Sequence, residues 1–440
     1  MKIKLFNQKK IVRFILLQSL MLLIYSYLFN KVGYNVGLIF SILSSLIFIS
    51  LDMENKYYFI LFSLPFASVL KINSSMPSML TVYYIIFIIT YLIKNSLRVN
   101  LISIIGLLGL VIVQFLDILI YNASISGIVS LFLNIIFVIV VIEYFKKKKK
   151  VSILKNSGLI FSVSMILSIT IADLFPNIPF IVLREKQELL TSVNRFCGLN
   201  GDPNYYSQLV LIAISLLIGV IKYEKKKNYK IIEIGMIAFL LINGLRSISK
   251  SYAITLIVLF IIYAIYEFRS ASISIRKSYL NILATLFGVL IMFIILLFLV
   301  FGIVIPLIES RTDSGDLFTG RTYIWRNYLK LLFDNPEVIL CGVGFSNGSY
   351  FFGKFFGSIK AAHNAYIDII MELGILGIIF LTIILKDIIF NFKKILSNIF
   401  SMYLFMIFFT SFGLSFSSND AVYILIPISL LIIKINNELA

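Results

Sequence analysis

Long apolar runs separated by short polar or charged segments dominate the pattern of this 440-residue chain. An apolar helix of about 20 residues crosses the hydrocarbon core of a bilayer, so each run predicts a membrane helix. The runs lie at about 14–30, 34–51, 57–70, 79–93, 101–121, 126–145, 151–175, 207–221, 231–245, 251–267, 280–304, 365–385, 400–417 and 421–434. Several are short, so we predict an all-α polytopic integral membrane protein with 12–14 transmembrane helices.

Composition supports this class of protein. Apolar residues make up 60% of the chain, charged residues only 14%, and the mean hydropathy is +1.00. A water-soluble fold cannot bury so large an apolar fraction. The basic N-terminus is followed by no small-residue cleavage site, so we interpret the first run as a retained helix and not a cleaved signal.

The distribution of basic residues predicts the orientation. With both termini in the cytoplasm, most of the 39 lysines and arginines fall on inner segments, including the run 146–150. The short outer loops then hold only Lys31, Lys71, Arg246 and Lys250. This positive-inside bias predicts a multi-pass protein of the cytoplasmic (inner) membrane. We therefore interpret the net charge of +18 as a topology signal and an attraction to membrane lipids, with no nucleic acid as partner.

Two long outer segments collect the polar residues, as functional loops do. The predicted order is N-terminal helices (1–175), a first long outer loop (176–206), central helices (207–304), a long outer catalytic loop with short amphipathic helices (305–364) and C-terminal helices (365–440). Cys197 and Cys341 both fall in the outer loops, but without a spacing motif they are only a weak indication of a disulfide.

The first loop and a short outer turn carry cations. Arg195 precedes Asp202-Pro203-Asn204, which is typical of a helix start, and its guanidinium suits a phosphate. The turn at 243–251 holds Arg246 and Lys250 among serines. These cations either snorkel to lipid head groups or bind an anionic lipid-linked substrate.

The second loop contains a predicted amphipathic helix at 321–333. Its apolar positions 324, 325, 328, 331 and 332 share one face, and Arg326 and Lys330 lie opposite. We interpret it as an interfacial helix with Trp325, the sole tryptophan, at head-group depth. The Gly342-Val343-Gly344 segment that follows is a tight turn or, on weaker grounds, a phosphate loop.

His363 is the sole histidine of the chain. It lies at the predicted outer start of a membrane helix, and Asn364, Asp368 and Glu372 follow at intervals of four residues. An isolated histidine is often structural, but outer cations, acids entering a membrane helix and its single occurrence favour a catalytic role here. The spacing leaves open whether Asp368 or Glu372 orients the imidazole.

Together these residues resemble the O-antigen polymerase and ligase family of bacterial membrane glycosyltransferases. The resemblance covers roughly 195–380 and rests on motifs in a set order. They are Arg195-x-x-Gly198 with Asp202-Pro203-Asn204, Arg246 in its serine-rich turn, Gly320-Arg321 with Trp325, Pro336, Gly342-x-Gly344, His363-Asn364, Tyr366, Glu372-x-Gly374 and Gly377.

The resemblance implies an enzyme that uses an undecaprenyl-diphosphate-linked oligosaccharide and needs no metal or other cofactor. It implies catalytic roles for His363 and for Arg321, Arg246 and Arg195, which would grip the pyrophosphate. The chain has no Asp-x-Asp pair to hold a metal on a diphosphate, which agrees with neutralisation by arginines. Candidate substrate-binding residues are Asn204, Lys250, Trp325, Arg326, Asn364, Tyr366 and Glu372.

Several functional alternatives remain open at this point. The Ile, Lys, Asn, Phe and Tyr bias favours a repeat-unit polymerase of an O-antigen or capsule over a ligase, with a chain-length regulator and a flippase as further partners. A lipid-linked oligosaccharide flippase is the rival from another class and predicts charges along membrane helices. Charges within the runs are sparse, and Asp117 and Glu233, for example, each lie near a helix end, which favours an interfacial position. A membrane scaffold without chemistry is the third alternative.

Overall fold

A computed structural model describes residues 8–72, 77–94, 101–147, 152–176, 178, 183–188, 191–273, 321–416 and 419–433. Up to the first outer loop the helices are α1 (Gln8–Val32), α2 (Gly37–Ser50), α3 (Met53–Ser63), α4 (Leu80–Lys94), α5 (Leu101–Tyr121), α6 (Ile125–Lys147) and α7 (Ser152–Leu174). Then come strands β1 (Leu183–Glu188) and β2 (Thr191–Phe196), followed by α8 (Pro203–Tyr223), α9 (Lys227–Leu245) and α10 (Lys250–Ile273). The remaining helices are α11 (Arg321–Asp334), α12 (Pro336–Cys341), α13 (Gly348–Phe356), α14 (Ala365–Ile384), α15 (Lys386–Phe390), α16 (Phe392–Leu396), α17 (Met402–Thr410) and α18 (Asp420–Leu425).

The predicted all-α polytopic membrane architecture is confirmed. Eight helical stretches in the described ranges are long and apolar enough to cross a membrane. They are Ile11–Ser50, Leu101–Tyr121, Ile125–Lys147, Ser152–Leu174, Pro203–Tyr223, Lys227–Leu245, Lys250–Arg269 and Ala365–Ile384. Leu80–Lys94, Ile399–Gly413 and Asp420–Ile433 are shorter apolar helices. The predicted run 280–304 and Gly320 lie outside the described residues, so the count of 12–14 stays a prediction.

One antiparallel hairpin interrupts the helical pattern in the predicted loop 176–206. Strands β1 and β2 pair with Leu183 opposite Phe196 and Arg184 opposite Arg195. The sequence analysis did not predict these strands. Each spans only six residues, whereas the apolar runs that predict membrane helices are much longer. The strands lie two residues apart in sequence, so the entropic cost of bringing them together is small. The hairpin fixes the backbone direction at Arg195.

The chain divides into two compact units, each assembled from three sequence segments. The first unit comprises Met1–Val82, Lys150–Asp313 and Leu396–Thr410, and the second comprises Tyr83–Lys149, Ser314–Ile395 and Ser411–Ala440. The predicted order of membrane and outer segments describes where the chain lies relative to a bilayer, whereas these two units describe how it packs. The predicted order therefore stays a prediction. Cys197 is buried and Cys341 half-buried, and neither forms a disulfide within the described ranges.

Helix α8 forms the centre of the first unit. Its apolar residues are buried almost along its full length, and it packs against α7, α9 and α17. The side chain of Asp202 caps its N-terminus by accepting hydrogen bonds from Asn204 N at 2.8 Å and Tyr205 N at 3.3 Å. Pro203 occupies the first helical position, where its missing N–H costs nothing. This cap confirms the predicted helix start and fixes the position of Asn204.

Helix α14 forms the centre of the second unit and is broken at Gly374, where φ is +62°. A Cβ atom at this position would lie 2.4 Å from the carbonyl carbon of Cys341 and 2.5 Å from Gly342 N. Only glycine permits both the backbone angle and this close approach. The segment after α12 pairs with the broken helix, because Val343 N donates to Met371 O at 2.9 Å. The Gly342-Val343-Gly344 segment is therefore a packed backbone turn, which favours the interpretation as a tight turn over that as a phosphate loop.

Candidate functional site

In the first unit, Arg195 at the end of β2 contacts the start of α8 and the turn between α9 and α10. Its Nε donates to Ser247 O at 3.0 Å, and its Nη2 donates to Asn204 Oδ1 at 3.3 Å. Ser249 Oγ donates to the same Asn204 oxygen at 2.9 Å. Lys250 begins α10 directly after this serine and is half-buried. We call Arg195, Asn204, Ser247, Ser249 and Arg246 the Arg195 cluster.

Arg246 in this cluster already binds a carboxylate. Its Nη1 and Nη2 donate to the two oxygens of Asp173 at 3.0 and 2.6 Å, and Nη1 also donates to Asn243 Oδ1 at 2.8 Å. The guanidinium lies over the ring of Phe196, 3.9 Å from its centroid. The hydrogen bond to Asp173 raises the pKa of Arg246, burial opposes this rise and the charge of Asp173 adds to it. The planar fork of Arg246 is thus charged and held in the bidentate geometry that also suits a phosphate.

Sequence reasoning missed Asp173. It lies in the last turn of α7, where a single acid after an apolar run is typical of a helix end at an interface. Its partner is 73 residues away in sequence, so no local pattern indicates the pair. The one available signal was an acid at the predicted outer end of a span, in a chain whose short outer loops hold few charges of either sign.

Backbone packing brings the two early motifs together. Phe196 N donates to Arg246 O at 3.1 Å, and the Phe196 ring meets the Tyr206 ring edge to face at 5.2 Å. Gly198 has φ of +57°, and a Cβ there would lie 2.8 Å from the Tyr206 ring. The glycine of Arg195-x-x-Gly198 is therefore required by packing of the first turn of α8 against this segment.

In the second unit, α11 lies beside the segment that leads to His363. Arg321 Nη1 donates to Gly413 O at 3.4 Å. One turn later, Trp325 Nε1 donates to Ala362 O at 2.8 Å. The predicted amphipathic helix is confirmed: Tyr328, Leu331 and Leu332 are buried, while Arg326 and Lys330 are exposed. The exposed side forms a groove of about 620 Å³ lined by Thr322, Trp325, Arg326, Asn327, Leu329, Lys330 and Phe333.

His363 is exposed directly before α14 and has a left-handed backbone, with φ of +49°. The next residue, Asn364, caps the helix, because its Oδ1 accepts hydrogen bonds from Tyr366 N at 3.1 Å and Ile367 N at 3.4 Å. The ring of Tyr366 packs on Phe412 with 4.6 Å between centroids. Three predicted site residues thus follow one another at the start of α14.

The acids after His363 lie on the buried side of α14. Asp368 is 4% exposed and accepts hydrogen bonds from Ala362 N and, at 3.4 Å, from Phe416 N. Glu372 is also 4% exposed, and its carboxylate accepts from the backbone of Ser346. The structure therefore places Glu372 in the packed interior of the unit, whereas His363 is exposed.

Within the described ranges, no group of three or more His, Cys, Asp or Glu side chains is placed to hold a metal ion. The four catalytic candidates fall into two groups. Arg195 and Arg246 belong to the Arg195 cluster of the first unit, and Arg321 lies one helical turn from the tryptophan that contacts the His363 segment in the second.

Comparison with known proteins finds a family match within the second half of the chain. Residues 234–382, about a third of the sequence, match the family model described as O-antigen ligase. No curated protein matches the chain. The matched range confirms the resemblance to the O-antigen polymerase and ligase family and includes Arg246, Lys250, Arg321, Trp325, Arg326, His363, Asn364, Tyr366 and Glu372. Arg195 and Asn204 lie before it.

Proposed function

We propose, from the O-antigen ligase match at residues 234–382, that this chain is a metal-independent glycosyltransferase of the cytoplasmic membrane. It polymerises undecaprenyl-diphosphate-linked oligosaccharide repeat units of an O-antigen or capsule on the outer face. The observation that carries the proposal is the exposed His363 at the start of α14, whose preceding segment contacts the helix that contains Arg321. Both residues lie in the matched range.

The reaction joins two lipid-linked glycans. A hydroxyl oxygen of the acceptor sugar attacks the anomeric carbon of the donor, and the bond from that carbon to the diphosphate oxygen breaks. His363 accepts the hydroxyl proton as general base, and undecaprenyl diphosphate leaves with the electron pair of the broken bond. An imidazole suits this step because it titrates near neutral pH, and no other histidine is present in the chain.

Arginines would neutralise the leaving diphosphate. Guanidinium forks bind phosphate oxygens through paired hydrogen bonds and remain charged throughout the reaction. The candidates differ in their present partners: Arg321 donates to the main chain at Gly413, whereas Arg246 holds the carboxylate of Asp173. A diphosphate that binds Arg246 through its fork must displace Asp173. Arg195 donates to Asn204 Oδ1 and to the backbone carbonyl of Ser247.

A ligase, which transfers the glycan to a different acceptor, uses the same donor chemistry and is the nearest alternative. The flippase alternative requires charged groups along a route through the helices. Asp117 is fully buried and accepts from Gln114 Nε2 at 2.8 Å, and the Oε1 atom of this glutamine accepts from Phe345 N at 2.9 Å. This bracket links α5 to the turn after α12, which is a packing role. The interfacial depth expected for Asp117 from the sequence stays a prediction.

Reconstitution tests the proposal. The purified chain in proteoliposomes, supplied with purified lipid-linked repeat units, should produce glycans of increasing length. His363→Ala protein, inserted at the same level, should leave only single units. Movement of lipid across the bilayer without new glycosidic bonds would favour the flippase. Transfer only after addition of an acceptor other than the lipid-linked repeat unit would favour the ligase.

A further inference from the structure

We propose that Trp325, Tyr328 and Asp368 are positioning residues, which hold His363 in place through hydrogen bonds to the main chain just before it. The effect of these positioning contacts on catalysis rests on the proposed function, in which His363 is the base. The hydrogen-bonding arrangement itself can be tested without any turnover.

The conformation of His363 needs external support. Its φ of +49° lies in the left-handed region, which residues other than glycine rarely adopt. Such conformations persist where neighbouring structure over-determines them, and they are common at functional sites. Asn364 begins α14 immediately afterwards, so the chain must change direction at the histidine.

Two donors on α11 provide support from one side. Trp325 Nε1 donates to Ala362 O at 2.8 Å, and Tyr328 Oη donates to Lys360 O at 2.7 Å. Positions three apart on a helix share one face, so both side chains reach the same segment. Tyr328 is fully buried and stacks on Phe352 with 4.7 Å between ring centroids. Burial raises the pKa of Tyr328, and the charges of Asp368 and Glu372 raise it further, so its hydroxyl remains a donor at neutral pH.

Asp368 provides support from the other side. Its carboxylate accepts a hydrogen bond from Ala362 N, so Ala362 is held at both its N–H and its carbonyl. The same carboxylate accepts from Phe416 N at 3.4 Å, which connects the segment to the 411–416 turn that also contacts Arg321. These contacts reach the main chain, so Asp368 acts on the path of the backbone into His363. Glu372 has a different role, because its contacts are with the turn after α12.

Because the chain contains a single histidine, His363 can be observed directly. Protein labelled with [¹⁵N]histidine and purified without a polyhistidine tag should give one set of imidazole resonances. Tyr328→Phe removes only the hydroxyl and keeps the stacked ring, so the fold should persist. We expect its imidazole resonances to broaden or split as the segment samples additional conformations. The matched control is Tyr323→Phe on the same helix, where the side chain is 62% exposed and the spectrum should not change.

The kinetic expectation follows from the same geometry. Loss of one hydrogen bond should lower kcat for chain extension about 3- to 10-fold, while KM for the lipid-linked donor changes less than about 2-fold. Asp368→Ala should have a larger effect, and Asp368→Asn, which keeps an acceptor oxygen, should recover part of it. Thermal denaturation followed by size-exclusion chromatography checks that each variant remains folded.

The outcomes separate this inference from the proposed function. Imidazole resonances of folded Tyr328→Phe and Asp368→Ala that match those of Tyr323→Phe would overturn the positioning role. Chain extension by His363→Ala would overturn the role of the base. In that case, a perturbed spectrum in Tyr328→Phe would still support the positioning contacts.

Discussion

The Arg195 cluster and the His363 segment use their polar side chains in different ways. In the first unit, the fork of Arg246 is occupied by a carboxylate, with both oxygens of Asp173 within 3.0 Å. In the second, Trp325 and Tyr328 direct their donors at main-chain carbonyls beside an exposed histidine. In the proposed function, the first arrangement accepts an anion by exchanging partners, and the second holds the proposed base His363 in a set position. The presence of an arginine in a sequence therefore does not indicate whether its guanidinium already binds another side chain.

Among the variants that test this comparison, His363→Ala should have the largest effect on the rate of chain extension. Removal of a general base typically costs about 10²- to 10⁴-fold in rate, so chain extension should fall by that amount in the reconstituted assay. Donor binding should persist, because the arginines remain. The comparison requires that His363→Ala and the unchanged protein insert into the membrane in equal amounts. Quantifying each protein in the membrane fraction checks this. A variant that extends chains at the original rate would contradict a catalytic role for His363.

Arg321→Ala should have the next largest effect, with a loss of roughly 10²-fold in kcat if its guanidinium stabilises the leaving diphosphate. Arg321→Lys should retain part of the rate, because it keeps the charge but loses the planar fork. Lys354→Ala, which removes an exposed cation from α13, is the matched control for a change in charge alone. Equal rates for the Ala variant and this control would exclude Arg321 from the reaction.

Gly374→Ala tests the framework of the second unit. A Cβ at this position would overlap the backbone around Cys341, at a positive φ that alanine disfavours, so we expect destabilisation of at least about 1–3 kcal/mol. The control is Gly235→Ala in α9, where no heavy atom lies within 4 Å of the added Cβ. Thermal denaturation followed by size-exclusion chromatography compares the two variants. If both melt at the temperature of the unchanged protein, the close approach at Gly374 does not stabilise the fold.

Asp173→Asn should have the smallest effect and is the sharpest test of the first unit. The salt bridge is partly exposed, with side-chain exposures of 41% for Arg246 and 44% for Asp173, so its loss should cost at most about 1 kcal/mol. An uncharged partner leaves the Arg246 fork easier to displace, so KM for the lipid-linked donor should fall a few-fold. A raised KM without loss of stability would show that Asp173 helps substrate binding and does not compete with it.

The positions of the helices were largely predictable from the sequence. Thirteen of the fourteen apolar runs fall on helical segments of the described chain, since hydropathy over some 20 residues is a local property. The start of α8 at Asp202-Pro203 and the buried face of α11 were predictable for the same reason, because caps and helical periodicity act over a few residues. The hairpin was not, because short strands acquire stability from a partner and not from their own pattern.

The chemistry of individual side chains depended on distant neighbours. The sequence singled out His363, Arg321, Arg246 and Arg195, but Arg246 pairs with an acid 73 residues away and Trp325 donates to a carbonyl 37 residues away. The sequence also left the roles of Asp368 and Glu372 open. Only tertiary structure separates them: Asp368 binds the backbone before His363, and Glu372 binds the turn after α12. By itself the sequence determined a helical membrane protein with candidate catalytic residues, because hydropathy and residue type are local. The partners of those residues were decided by packing, which joins segments that no local pattern connects.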